Sequence, residues 1–356
     1  MFKVNIEFIK PGMILAKTLQ NIDGQILLSA GVKFKDNYIQ KLKELGITHV
    51  YIDTKETSDI VIEDVICDQN RFEAKKAIKD VMEDLYMGRR IQLEQVSYTI
   101  SNILDDLLGN RDILLNLSDI KAADEYTFAH SVNVCVLSLI TGIAMGYNRE
   151  RLEKLGVGAI LHDIGKIWIP KEILNKPGKL TDDEYKKVKR HPKVGYDMIK
   201  RYDHISSLSA VVVLTHHERY DGRGYPLGKK GEEIHEFARI VAIADVYDAL
   251  TSDRVYKSKM FPHEAVEYLI SMGGHQFDYE IVKKFIVHVA AYPLGTMVVL
   301  NTGEKGVVVK LDQAYPNRPT IRCMYGVDGE RYDGFKELNL IDYPSITIIE
   351  VLEKLE

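Results

Sequence analysis

His162 and Asp163 are adjacent in the chain and carry the two ligand types, imidazole nitrogen and carboxylate oxygen, that commonly coordinate zinc, iron or manganese. In a helix over residues 149–163, His162 would share the buried face with Leu155, because the two residues are seven positions apart. Asp163 would then lie at the helix end, where both side chains can reach one point. The pair alone fits a second interpretation, a core histidine beside a helix cap.

Four other histidines occur next to apolar segments, where solvent-exposed histidines are not expected. His130 precedes a run of apolar residues, and His216 and His217 end another such run. His191 directly precedes a proline, which suits the first turn of a helix. These positions favour histidines that point into the protein.

Asp245 lies inside the apolar segment 238–246. A carboxylate in such a segment is almost never buried without a partner, because the desolvation of its charge is too costly. Either a metal ion or a salt bridge would compensate the buried charge of Asp245. The complete set is difficult to explain as packing, and it predicts a metal site. That set consists of His130, His162, Asp163, His191, His216, His217 and Asp245.

The composition is that of an ordinary soluble protein with room for two or three domains, since 46% of the 356 residues are hydrophobic and 28% are charged. No apolar run reaches the roughly 18 residues needed to span a bilayer, and residues 1–7 lack the apolar core of a signal peptide. The three scattered cysteines do not suit a disulfide framework, so we expect a cytoplasmic protein. The net charge of −5 gives no indication of nucleic-acid binding.

The N-terminal part divides into a small unit and a helical connector. Residues 1–58 are expected to form a small α/β unit, in which an Asp-Gly turn joins strands at 13–16 and 25–28 and His49 faces solvent. Residues 59–118 are expected to be helical. An apolar seam in this connector suits either an intramolecular bundle or a homodimer interface. The seam consists of Val96, Ile100, Ile103 and Leu107.

Residues 119–292 are expected to form an all-α domain with functional loops. Thr181 and Glu184 fit a capping box, which predicts that a helix begins there. The glycines and the proline of residues 219–231 predict a loop. From residue 293 to 356 the pattern changes to short strands separated by glycine-containing turns, which predicts a small β-rich domain without catalytic residues.

Several separate motifs occur in the order of a known family. They are His162-Asp163-Ile164-Gly165-Lys166, His191-Pro192, His216-His217-Glu218, the segment from Asp221 to Pro226, and the segment from Ala244 to Arg254. Through these motifs, residues 119–290 resemble the HD-GYP family, bacterial phosphodiesterases of cyclic di-GMP within the HD metal-dependent phosphohydrolases. The resemblance is specific because independent motifs share one order.

The resemblance implies a role for each matching residue. All seven metal ligands of the family have a counterpart, namely the five histidines and two aspartates given above. Asp163 and Lys166 match catalytic positions, and Lys166 would stabilise developing charge unless it only forms a salt bridge with a surface carboxylate. Arg254 and Lys257 match basic residues near the substrate phosphate. The Gly-Tyr-Pro triplet matches Gly224, Tyr225 and Pro226, where Tyr225 would either stack on a guanine or shape the loop.

Two divalent metal ions per chain, with Fe or Mn favoured by the mixed ligands, follow from the resemblance. Asp163 has two oxygens and is the natural bridge between them, and a hydroxide held between the metals would attack the phosphodiester. One metal would be held by His130, His162 and Asp245. The other would be held by His191, His216 and His217.

Some family members carry a glutamate four residues before the first histidine and hold a third metal. Here Tyr126 occupies that position, and on a helix Glu125 would point about 100° away from it. We therefore expect the two-metal version, with linear pGpG as the main product and GMP formed more slowly.

Three functions fit the sequence. The first is hydrolysis of cyclic di-GMP. The second is hydrolysis of another nucleotide, such as cyclic GMP-AMP, because residues 223–226 favour a cyclic dinucleotide without selecting its bases. The third is a catalytically silent signalling scaffold, which would not need to retain all seven ligands. The terminal domains would serve as sensors or as docking modules for signalling proteins.

Overall fold

A computed structural model of the chain describes residues 1–21, 24–54, 57–62, 64–89, 91, 93–109, 126–252 and 260–353. These residues pack around three hydrophobic cores. The largest core lies in the helical central part, the second joins the N-terminal unit to the C-terminal domain, and the third lies within the C-terminal domain. In the described ranges, no helix is both long and apolar enough to cross a membrane.

The N-terminal unit consists of short strands around one helix. Its elements are β1 (Phe2–Asn5), β2 (Ile14–Leu15), β3 (Leu19–Gln20), β4 (Ile26–Leu28), α1 (Asp36–Glu44) and β5 (His49–Asp53). The central strand β5 pairs antiparallel with both β1 and β2. The predicted pairing of residues 13–16 with residues 25–28 is wrong, because β2 is hydrogen-bonded to β5 and β4 pairs with β3 instead.

His49 is buried, so the prediction that it faces solvent is wrong. It is 7% exposed, and its Nδ1 lies 3.0 Å from Oγ1 of Thr48. The histidine lines a cleft between the N-terminal unit and Phe261 of the central domain. The sequence pattern indicated a strand with one solvated face, whereas four of the five residues of β5 are buried here.

Two helices, α2 (Asp68–Tyr86) and α3 (Leu93–Gly109), follow the N-terminal unit. The apolar seam of α3 is at most 5% exposed and belongs to the core of the central domain. At Gly156, a Cβ would lie only 2.7 Å from Cγ2 of Ile100, so the two backbones approach closely there. The seam is therefore an intramolecular contact, as in the first of the two alternatives that the sequence left open.

The central domain is helical, as predicted. Its helices are α4 (Tyr126–Ala144), α5 (Arg149–Ile160), α6 (Lys171–Leu174), α7 (Asp182–Val188), α8 (His191–Ile199), α9 (Ser207–Thr215), α10 (Glu236–Thr251), α11 (Pro262–Ser271) and α12 (Tyr279–Ile286). The capping box at the start of α7 is confirmed, since Thr181 and Glu184 exchange side-chain and backbone hydrogen bonds. Helix α10 is buried along most of its length and lies in the middle of the domain.

The C-terminal domain is a five-stranded antiparallel sheet, which confirms the predicted β-rich domain. Its strands are β6 (Met297–Leu300), β7 (Lys305–Lys310), β8 (Thr320–Tyr325), β9 (Arg331–Asn339) and β10 (Ile348–Leu352), in the order β10-β6-β7-β8-β9. Arg322 on β8 is 5% exposed and forms a two-pronged ion pair with Asp59 at 2.6 and 2.7 Å. This pair joins the sheet to the N-terminal part of the chain.

Candidate metal centre

Seven side chains of the types that bind metal ions meet in the middle of the helical domain. They are His130 on α4, His162 and Asp163 after α5, His191 at the start of α8, His216 and His217 after α9, and Asp245 on α10. His217 is half-buried, and the other six are at most 8% exposed. Residues predicted from separate sequence motifs are therefore brought to one point by five segments of the chain.

The helix predicted over residues 149–163 ends earlier, because α5 stops at Ile160 and a turn follows. Gly165 allows this turn to approach α8. A Cβ at Gly165 would lie 2.1 Å from the backbone oxygen of His191 and 2.7 Å from the backbone nitrogen of Gly195. Only glycine fits such a contact, and the close approach brings Asp163 next to the α8 histidine.

The ligand atoms form two groups, each within 4.8 Å, and Asp163 lies between them. The first group consists of His130, His162 and Asp245, and the second consists of Asp163, His191, His216 and His217. Oδ2 of Asp163 lies 3.4 Å from Nε2 of His162 in the first group. Oδ1 lies 3.2 Å from Nε2 of His191 in the second. The two oxygens of one carboxylate thus face different groups.

Three of the histidines are oriented by the backbone. In each, Nδ1 lies within hydrogen-bond distance of the carbonyl three residues earlier: 2.7 Å in His162, 2.8 Å in His191 and 3.0 Å in His216. Because a carbonyl oxygen only accepts, Nδ1 carries the proton in these rings and Nε2 is left with its lone pair. All three Nε2 atoms are therefore available to a metal ion.

His130 is oriented by a carboxylate instead. Its Nδ1 lies 2.7 Å from Oδ2 of Asp248, and its Nε2 lies 3.1 Å from Oδ1 of Asp245. Asp248 is 2% exposed and also accepts hydrogen bonds from Asn133 and Ser252. A carboxylate on the outer nitrogen of a ligating histidine is a common arrangement in metal sites, where it fixes the ring and makes it more basic.

The electrostatics of the site suit metal ligation. Burial opposes ionisation of Asp163, yet the positive charge of Lys166 and the contact with His162 hold the pKa of its carboxyl well below the usual range. Burial lowers the pKa of His216 far below that of a free histidine, so this ring is neutral. Burial also acts against charge on His130, but its hydrogen bonds to Asp245 and Asp248 raise its pKa to about 9. A metal ion bound at that nitrogen would replace a proton.

Buried polar atoms at the centre of the cluster have no hydrogen-bond partner among the described residues. They include Nε2 of His162 and Oδ1 of Asp163. Buried polar atoms without partners are rare because the lost hydration is costly. Since both atoms are metal-ligand types that face the middle of the cluster, the residues present fit divalent cations.

Lys166 and Tyr225 lie beside the ligand cluster. Nζ of Lys166 is 2.5 Å from Oδ2 of Asp163. The ring of Tyr225 stacks on His217, with the centroids 4.8 Å apart, and the peptide bond from Tyr225 to Pro226 is cis. Tyr225 thus lies against a ligand residue at the rim of the site.

Glu218 holds the loop that carries Tyr225. It is 3% exposed, and its two carboxylate oxygens accept hydrogen bonds from the backbone N–H groups of Leu227 and Lys229 at 2.6 and 3.0 Å. Gly224 is packed against the same region, where a Cβ would lie 2.3 Å from the backbone nitrogen of Arg219. These contacts fold residues 219–231 back over the double histidine.

Some predicted residues lie outside this description. Arg254, Lys257 and Glu125 are outside the described residues, as is part of the predicted connector. Tyr126 is the first residue of α4, and its side chain is not described. Their assigned roles remain predictions.

Three residues that support the site, Asn133, Glu218 and Asp248, had no role predicted from the sequence. Asp248 follows Asp245 by three positions in an apolar helix, so both carboxylates lie on one face of α10. That spacing could have predicted from the sequence that Asp248 lies beside the metal centre. Asn133 follows His130 by three positions in the same way on α4.

The chain was compared with known proteins. Residues 120–281 match the family described as "HD domain", and residues 297–356 match "KOW domain associated with HD domain". A cyclic di-GMP phosphodiesterase of Pseudomonas aeruginosa is 40% identical over 67% of this chain and 57% of its own length. The cyclic di-GMP phosphodiesterase response regulator RpfG of Xanthomonas campestris is 39% identical over 53% of this chain and 50% of its own length.

A solved structure, described as Bd1817, a HDG"Y"P protein from Bdellovibrio bacteriovorus, matches 80% of this chain and 97% of its own with a TM-score of 0.50 and 17% identity. At that identity the match bears on the fold alone. The helical core and its histidine and aspartate cluster define residues 120–281 as an HD domain. The Gly-Tyr-Pro loop beside the cluster agrees with the resemblance of this domain to the HD-GYP family. The matched part spans 57% and 50% of the length of the two curated relatives.

Proposed function

We propose that this chain is a metal-dependent phosphodiesterase that hydrolyses cyclic di-GMP to linear pGpG and releases GMP more slowly. The observation that carries the proposal is the position of Asp163, whose two oxygens face separate groups of metal-ligating side chains. Both relatives described above are named cyclic di-GMP phosphodiesterases. Two divalent cations, Fe or Mn, would acidify water to a nucleophile and withdraw charge from the phosphate.

The seven ligands have distinct roles in this proposal. His130, His162 and Asp245 would hold one ion, and His191, His216 and His217 would hold the other. Asp163 would contribute one oxygen to each side. Because Nδ1 of three of these rings is hydrogen-bonded to a backbone carbonyl, the rings would need little reorganisation to bind a metal ion.

The remaining residues of the site would bind and orient the dinucleotide. The ammonium of Lys166 lies at the edge of the cluster, where it would balance charge that develops on a phosphate oxygen or on the leaving oxygen. Tyr225 presents an aromatic ring at the rim, between Gly224 and Pro226, where a guanine could stack. Arg254 and Lys257 would pair with phosphate. We further propose that the N- and C-terminal units act as sensor or docking modules.

A substrate panel tests the proposal. Protein loaded with Mn²⁺ or Fe²⁺ is incubated with cyclic di-GMP, cyclic GMP-AMP, cyclic di-AMP and pGpG, and the products are separated by chromatography. We expect cyclic di-GMP to be consumed fastest, with pGpG appearing first. His191→Ala should abolish turnover, and the matched control His204→Ala, which changes an exposed histidine, should not.

Two results would replace the proposal by another function. Faster consumption of cyclic GMP-AMP would assign the chain to that substrate. Metal-loaded protein that consumes no cyclic dinucleotide would support a silent scaffold.

A further inference from the structure

Arg71 of α2 is a buried arginine that lies outside the HD domain, and it is 4% exposed. Nη2 of Arg71 forms an ion pair with the buried carboxylate of Asp64 at 2.7 Å. Nη1 donates a hydrogen bond to Oδ1 of Asn133 on α4 at 2.9 Å. Burying a charged pair has a desolvation cost that the attraction between the charges often does not exceed. Stability alone is therefore a weak reason for this arrangement.

Asn133 connects Arg71 to the metal centre. A guanidinium only donates hydrogen bonds and a carboxylate only accepts them, so the amide has one orientation that satisfies both neighbours. Its Oδ1 accepts from Arg71, and its Nδ2 donates to Oδ1 of Asp248 at 2.8 Å. The other oxygen of Asp248 lies 2.7 Å from Nδ1 of His130. Buried hydrogen bonds thus run without a gap from the connector to His130.

We infer that Arg71 is a positioning residue for the metal centre, acting through Asn133 and Asp248 on the orientation of His130. The inference rests on the metal-binding part of the proposed function, since it requires His130 to be a metal ligand. The charge of Arg71 polarises the amide of Asn133 and strengthens its N–H donation to Asp248. The carboxylate of Asp248 is then fixed in the position that directs Nε2 of His130 into the cluster.

Among the residues that the structure describes, this connection reaches the first of the two ligand groups. In the second group, the rings of His191 and His216 are oriented by the backbone carbonyls of Val188 and Val213. These two contacts are separate from the hydrogen bonds that run from Arg71 through Asn133 and Asp248. Loss of the Arg71 contact should therefore weaken metal binding at His130, His162 and Asp245 and spare the second group. A general loss of fold stability would instead weaken metal binding in both groups.

Arg71→Lys is the main variant. Lysine keeps the charge that pairs with Asp64, but its ammonium lacks the planar fork that reaches a carboxylate and an amide at once. Arg71→Met removes both contacts and serves as the second variant. Lys76→Met, at an exposed position of the same helix, is the matched control. Circular dichroism and the thermal midpoint show whether each variant is folded.

The measurement is Co²⁺ binding to metal-free full-length protein, followed by visible absorption and by metal analysis. In a His216→Ala background only the first group is complete, and in a His162→Ala background only the second is complete. We expect Arg71→Lys to weaken Co²⁺ binding about tenfold in the first background, the lower end of the effect of outer hydrogen-bond partners on metal sites. Affinity in the second background should be unchanged. Lys76→Met should change neither.

Unchanged Co²⁺ affinity in both backgrounds, or an equal loss in both, would overturn the inference. The proposed function fails in a different way. Protein that binds two Co²⁺ ions with the expected dependence on Arg71 but hydrolyses no cyclic dinucleotide would contradict the proposed activity and leave this inference standing. Wild-type protein that binds no Co²⁺ would overturn both.

Discussion

Lys166 forms an ion pair with Asp163 inside the site, with Nζ 2.5 Å from Oδ2. Asp163 is only 1% exposed, so this is not the pairing with a surface carboxylate that the sequence left as an alternative. Oδ2 also faces His162 of the first ligand group at 3.4 Å. The lysine thus contacts the carboxylate that both ligand groups share, where it could meet charge on a bound phosphate.

Removal of this ammonium should affect the reaction more than metal binding. We expect Lys166→Met to lower kcat by about 100-fold, because a preorganised charge that meets developing negative charge has an effect of that order. Metal content should remain at the wild-type level. Steady-state kinetics and metal analysis on one preparation check this, with Lys171→Met at an exposed nearby position as the control. Loss of metal without a separate loss of kcat would make Lys166 a structural residue.

Glu218 should control substrate affinity through the Gly-Tyr-Pro loop. Glutamine has one acceptor oxygen where Glu218 uses two, so one N–H of the loop would lose its hydrogen-bond partner, at a cost of about 1 kcal/mol. We expect Glu218→Gln to lower the thermal midpoint and raise KM several-fold, because Tyr225 would no longer be held against His217. Glu232→Gln, at an exposed position directly after this loop, should behave as wild type. A normal KM despite lower stability would separate the loop from substrate binding.

Arg254 and Lys257 are predicted to bind phosphate. Replacing either by alanine should raise KM while leaving metal content unchanged, since the lost contact would be with substrate only. Steady-state kinetics with cyclic di-GMP measure KM, and metal analysis measures the metal content. Lys284→Ala, at an exposed position, is the control. If metal content falls and KM stays constant, the two residues support the fold.

The extent of reaction is predicted to depend on Tyr126. A tyrosine is neutral at pH 7, with an ordinary pKa near 10, and is a poor replacement for a carboxylate ligand. We therefore expect two metals per chain after loading and accumulation of pGpG, with GMP formed slowly. A time course of products with parallel metal analysis tests this. Three metals per chain, or GMP released as fast as pGpG, would contradict this role of Tyr126.

The sequence was sufficient to predict the ligand cluster because its members are polar residues in apolar surroundings. Asp245 within a buried helix is the clearest case, since only a partner could compensate its charge. The helical character of the central domain and the β-rich C-terminal domain followed from periodicity and turns. These features depend on residues close together in the chain.

The features that the sequence could not supply depend on tertiary contacts. Arg71 reaches Asn133 across 62 positions of the chain, and no local pattern predicts that approach. His49 is buried although its strand pattern predicted a solvated face, and residues 31–34 pair with the side of β2 that β4 was predicted to occupy. Each outcome depends on which surfaces meet after the local elements have formed.

Asp163→Ala provides the most direct test of the account, because this carboxylate is shared by both ligand groups. Metal content, cyclic di-GMP turnover and circular dichroism should be measured on one metal-loaded preparation, with Asp197→Ala, a carboxylate paired with Lys193 and Lys200 on α8 and at its end, as the control. We predict that Asp163→Ala loses bound metal and hydrolysis together while its helical spectrum persists. Wild-type metal content with full turnover in Asp163→Ala protein would contradict the two-metal site.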